Sequence, residues 1–119
     1  MWIFTNTSFL SIVGNETNPA KADLLVRGRI KGDIEHLFPE SRIDMHEDRD
    51  YRYRTWVPRN HVGEVLGKCT EQIDYCNFKN SISKNDLERE RAYMEVWQSM
   101  FRYMNRQHSR DGLISDKST

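Results

Sequence analysis

Arginines and one tryptophan carry the clearest chemical signal in this chain. Arg27, Arg29, Arg42, Arg52 and Arg54 recur in segments that alternate polar with apolar residues, and Trp56 follows Arg54 by two positions. In an extended strand, residues two apart share a face. Arg52, Arg54 and Trp56 therefore project together, with Arg27 and Arg29 on one neighbouring run and Arg42 on another. A guanidinium holds a phosphate through two parallel N–H groups and also stacks on rings. An open sheet face carrying several guanidiniums beside an indole suits a phosphate backbone with unstacked bases. The same residues have a second outcome. Asp23, Asp44, Glu47, Asp48 and Asp50 lie close in sequence, and a solvated ladder of cross-strand ion pairs is worth only about 0.2–1 kcal/mol per pair.

His46 stands two residues from Asp44 and faces Arg52 or Arg54 across a short turn. In that setting His46 is a candidate general base for metal-independent phosphodiester cleavage, with an arginine stabilising the phosphorane. The missing acid has to come from Tyr51, Tyr53 or His36, so the constellation is incomplete, and no catalytic residue is assigned. Cys69 and Cys76 lack zinc-knuckle spacing and His61 has no matching ligand, so no metal is expected. P-loop, dinucleotide, nucleophile-elbow and zincin motifs are all missing from the sequence, and no cofactor is expected. In Asp74–Lys79, Tyr75 and Phe78 bracket Asn77. Asn77 and Lys79 complete the candidate binding positions. The plainer reading of that segment is a bend in which Asp74 and Asn77 bond freed backbone groups while the two rings plug an edge.

The elements that position these residues follow from periodicity. Phe9–Val13 reads as a strand starting as early as Ile3, and it ends in the turn formers of 14–19. Asp23–Ile30 pairs with it. A short helix over 32–38 is closed by Pro39. Arg42–His46 and Tyr51–Val57 form a hairpin, and Pro58 opens a helix with Val62, Val65, Leu66, Cys69 and Ile73 on one face. A last helix begins after Ser83 and carries the stripe Tyr93, Val96, Trp97, Met100, Phe101 and Met104. The expected fold is α+β, a two-layer sandwich in which an antiparallel four-stranded sheet is covered on one face by two main helices. Tyr51, Tyr53, Val57, Ile43, Met45, Val26, Leu24 and Ile30 are expected toward the helices. Residues 1–106 form a single domain and 107–119 a polar, disordered tail.

Composition narrows the functional classes. The 119 residues hold 18 basic and 18 acidic side chains, a formal net charge of zero. Binding to a polyanion has to rest on a local patch and not on bulk charge. A chain of this length buries roughly two-thirds of its unfolded surface, enough for a core without disulfides. No apolar run reaches membrane-spanning length, and Met1–Thr5 lacks a basic leader, so a cytoplasmic chain with free thiols and no membrane partner is expected.

Six segments together resemble a widespread family of small uncharacterised bacterial proteins. They are Met1-Trp2-Ile3-Phe4-Thr5, Ser8 to Val13, Arg27-Gly28-Arg29 with Asp33, Asp50 to Arg54, Ile73 to Lys79, and Tyr93 to Trp97. The resemblance covers nearly the whole chain apart from the polar tail. It implies a bacterial origin and an intracellular domain, and it transfers no catalytic role. The functional expectation is a small non-enzymatic binding or regulatory protein of bacterial or mobile-element origin. Its arginine-rich face would hold a macromolecular or anionic partner, either protein or nucleic acid. The alternatives are an inhibitor-type or oligomer-forming module, with a homodimer through the last helix, and a phosphodiester-processing enzyme.

Overall fold

Two alternating runs set the register of the sheet. β3 (Asp23–Gly28) and β5 (Tyr53–Pro58) pair antiparallel, with Leu24 opposite Val57, Val26 opposite Thr55 and Arg27 opposite Arg54. β2 (Phe9–Val13) lies on the other side of β3, with Ser11 opposite Arg27 and Ile12 opposite Val26. β1 (Trp2–Phe4) closes that edge and β4 (Asp44–Met45) the other. The computed structural model, which describes residues 1–112, is thus α+β with a five-stranded antiparallel sheet in the order β1-β2-β3-β5-β4.

The fifth strand corrects the four-stranded expectation. Ile3 does not belong to a long first strand, because a turn separates it from Phe9. The Thr5 amide donates to the Ser8 carbonyl at 2.8 Å, and Thr5 Oγ1 accepts from the amides of Ser8 (2.9 Å) and Thr7 (3.3 Å). Hydroxyls build this turn without glycine or proline, so the usual turn signal is missing.

One face of the sheet carries the core. Leu10, Ile12, Val26 and Val57 pack with Ile34 and Phe38 from the region of α1 (Asp33–Leu37) and Val62 from α2 (Arg59–Glu71). Partly buried Ile3, Leu24, Ile43, Tyr53, Val65 and Leu66 surround this cluster. Ile30 and Met45 were expected here and are 55% and 56% exposed. Ile30 follows the end of β3, and Met45 lies on the two-residue edge strand β4, so neither is held in the alternation of a central strand. Ile73, expected on the apolar side of α2, lies beyond its end and is 52% exposed.

Entry into α1 needs Gly32, whose φ of 95° places it in the left-handed region. A Cβ there would cost about 1–2 kcal/mol. Asp33 is 1% exposed; its carboxylate accepts the Phe9 amide at 2.9 Å and its carbonyl accepts Ser8 Oγ at 2.7 Å. Gly14 opens the β2–β3 connection, where a Cβ would stand 2.5 Å from the Pro19 carbonyl oxygen. Arg59, the first residue of α2, grips the same connection. Its amide donates to Ala22 O at 2.6 Å, and Nη2 donates to Pro19 O (2.9 Å) and Lys21 O (3.0 Å).

The chain divides into two units, Met1–Cys76 and Asn77–Thr119. The second contains α3 (Phe78–Ser81) and α4 (Leu87–Ser118). Asn77 caps α3 by accepting the Asn80 amide at 3.0 Å. Asp86 accepts the Arg89 amide at 3.2 Å at the start of α4, as an acidic N-cap does. The rings of Phe78 and Tyr93 stack 5.9 Å apart. The polar tail expected from 107 begins within the span of α4, and its end lies outside the described residues.

Candidate functional site

The second face of the sheet carries Arg27, Arg54 and Trp56 among the candidate residues. Strand pairing aligns Trp2, Ser11, Arg27, Arg54 and Asp44 in one row across all five strands. The row two residues away contains Val13, Leu25 and Trp56. The strand spacing places the Trp2 and Trp56 backbones roughly 15 Å apart, with Ser11 and Arg27 on the two strands between them and Arg54 on the Trp56 strand. Trp2 is 70% and Trp56 48% exposed. Trp2 meets Phe9 edge-on at 6.2 Å, and Phe9 stacks on Phe4 at 4.5 Å. Aromatic surface thus borders the row at the β1 end.

Tyr51 is the residue that sequence alternation misplaced. It precedes β5 by two positions, and the expectation set it with Tyr53 against the helices. Its ring instead lies under two guanidiniums, with Arg27 Cζ 4.6 Å and Arg29 Cζ 4.5 Å from the ring centroid. Tyr51 is only 4% exposed. The backbone of 51–52 is outside the strand, so the period-two rule stops at Tyr53. Each cation–π contact contributes about 0.5–2 kcal/mol, and together they hold two cations on one platform.

Hydrogen bonds fix Arg27 and Arg54 further. Arg27 Nη2 donates to Ser11 Oγ at 2.6 Å, whereas its buried Nε has no hydrogen-bond partner. Arg54 Nε donates to the Tyr51 carbonyl at 3.2 Å. Burial first, then the charges of Arg49 and Arg27, hold Arg54 below the usual guanidinium range, while Asp50 and Glu16 pull the other way. Those two carboxylates act at a distance. Among the described residues, no carboxylate lies within 4 Å of Arg27, Arg29, Arg42, Arg52 or Arg54. The ion-pair ladder expected as the competing arrangement is therefore not formed, even where Asp44 stands opposite Arg54 in register.

The remaining candidates are more scattered. Arg42 is exposed and lines an open groove of about 550 Å³ with Trp56, Glu40, Asp44 and His61. Arg52 is exposed, and its carbonyl accepts the His46 amide at 2.7 Å. Asn77 and Lys79 belong to the second unit, where Asn77 serves as a helix cap and Lys79 is exposed. His46 is exposed, and among the described residues no carboxylate lies within 4 Å of its ring. Asp44 and His46 are thus not brought together. No group of three or more His, Cys, Asp or Glu among the described residues could hold a metal ion. No described helix is long and apolar enough to cross a membrane.

Sequence reasoning missed Tyr51 as a cation platform and Trp2 as the second exposed ring of this face. The Tyr51-Arg52-Tyr53 alternation concealed the first, and the hydroxyl-built turn after Phe4 concealed the second. Comparison of the chain with protein families, curated proteins and solved structures finds no match, so the family resemblance rests on the sequence motifs alone.

Proposed function

We propose that the chain is a non-enzymatic binding protein that takes single-stranded nucleic acid across the second face of its sheet. One observation carries this reading: Arg27 and Arg54 stand opposite each other in register, with no carboxylate within 4 Å among the described residues, on the sheet face that also carries exposed Trp2 and Trp56. A cation held near others without a counter-ion gains most from an incoming phosphate. Burial first, and then the charges of Arg49 and Arg27, hold Arg54 below its usual range, so a bound anion offsets the repulsive part. The roughly 15 Å between the indole-bearing strands leaves room for a few nucleotides to span from ring to ring. Stacking on such rings is tolerant of base identity. The chain's zero net charge fits a local patch better than a general polyanion binder.

The test is a fluorescence titration of a Trp97→Phe variant with a single-stranded RNA octamer, at low and at moderate salt. Quenching that weakens with salt, and that a duplex of the same sequence does not reproduce, supports the proposal. Equal binding to both nucleic acids, or no response at either salt, overturns it.

A further inference from the structure

We propose that α4 pairs antiparallel with α4 of a second copy of this chain through the face spanning Tyr93 to Met104. On this stretch Val96, Trp97, Met100, Phe101, Tyr103 and Met104 are 40%, 58%, 57%, 45%, 47% and 55% exposed. Trp97 and Phe101 stack on each other at 5.3 Å, so these two rings share one apolar patch. A concentration of large apolar groups on one helix side is characteristic of interaction surfaces.

Two features select a second copy, and an antiparallel one. First, Tyr93, Trp97, Met100 and Met104 are spaced four, three and four residues apart. That spacing is identical in both chain directions. A two-fold axis between Gln98 and Ser99 sets Trp97 against Met100 of the partner copy and Tyr93 against Met104, as a closed isologous contact requires. Second, the two halves of the helix carry opposite charge. Residues 86–95 hold four carboxylates against Arg89 and Arg91, whereas 102–111 hold three arginines against Asp111. The antiparallel arrangement sets the acidic half beside the basic one, and the parallel arrangement sets like beside like. The apolar stretch spans only about 16 Å of helix, so the interface is small and the dimer is a concentration-dependent one.

Sedimentation equilibrium of the full chain tests the proposal between about 1 and 200 µM, a range suited to small interfaces. The expected result is a reversible monomer–dimer equilibrium. Met100→Lys places a cation opposite Trp97 twice per dimer, and dimerisation weakens by at least about tenfold with an unchanged circular dichroism spectrum. Orientation is tested in a Cys69→Ala/Cys76→Ser background. Tyr93→Cys chains mixed with Met104→Cys chains cross-link to each other, and neither variant cross-links alone. A monomer throughout the range overturns the proposal, as does a dimer that Met100→Lys leaves intact or a Met104→Cys chain that cross-links to itself. None of these readouts depends on nucleic acid.

Discussion

The two faces of the sheet are made by the same strands yet follow different physical rules. On one face Leu10, Val26 and Val57 are 0–2% exposed and close against Ile34, Phe38 and Val62. On the other, residues one position away in sequence present rings and guanidiniums: Phe9 beside Leu10, Arg27 beside Val26, Trp56 beside Val57. The first face is held by removal of apolar surface from water. The second is held by cation–π contacts and a few hydrogen bonds, and among the described residues its arginines have no carboxylate at contact distance. Stability and recognition are thus assigned to alternate residues of the same strands, and substitutions should separate them.

The largest separation is expected from Leu10→Ala, which leaves a cavity at a fully buried site. A loss of about 2–5 kcal/mol in urea unfolding is expected, whereas Trp56→Ala stays below about 1 kcal/mol. Equal losses would dissolve the contrast between the faces. Next in size is the double variant Arg27→Ala/Arg54→Ala. It should leave cooperative unfolding intact while the slope of log affinity against log salt, measured with single-stranded RNA, falls by about 1.4. An unchanged slope would remove these arginines from phosphate contact. Trp2→Ala and Trp56→Ala should each cost about 1–3 kcal/mol of binding, read from titrations at fixed salt. Tyr51→Leu keeps apolar volume but loses the platform under Arg27 and Arg29, so about 1 kcal/mol of stability should go in urea. The smallest effect is expected from His46→Ala, which should fall within about 0.5 kcal/mol of the parent in stability and bind RNA equally. A large loss there would revive the Asp44–His46 pairing as a working unit.

The central pair of strands was legible because each alternates cleanly: Leu24 and Val26 against Arg27, and Tyr53, Thr55 and Val57 against Arg54 and Trp56. The α2 stripe of Val62, Val65, Leu66 and Cys69 was legible from helical spacing; the α4 stripe was legible as a helix face but not as the core expected of it, since Val96, Trp97, Met100, Phe101 and Met104 stay exposed. What escaped lay at element ends. Alternation has no force on Tyr51, where the chain is not yet in the ladder, and cation–π attraction took its ring to the arginine side. Met45 lost its expected burial because β4 is two residues long and lies at an edge. The four-strand count failed at Thr5–Ser8 because side-chain hydroxyls made the turn. Charge pairing was illegible for a different reason. Sequence proximity offered five carboxylates to the arginines, but rotamer and backbone geometry decide contact, and the contacts went to Tyr51, Ser11 and a backbone carbonyl.

Arg59 ties the opening of two distant pieces of chain into one event. Its three bonds to the carbonyls of Pro19, Lys21 and Ala22 join the first turn of α2 to a connection 37–40 positions earlier. Fraying at the start of the helix therefore releases the β2–β3 connection, and the two should exchange amide hydrogens as a single cooperative unit. A protease that nicks residues 15–22 then reports on helix breathing, and its rate follows the population of that joint opening.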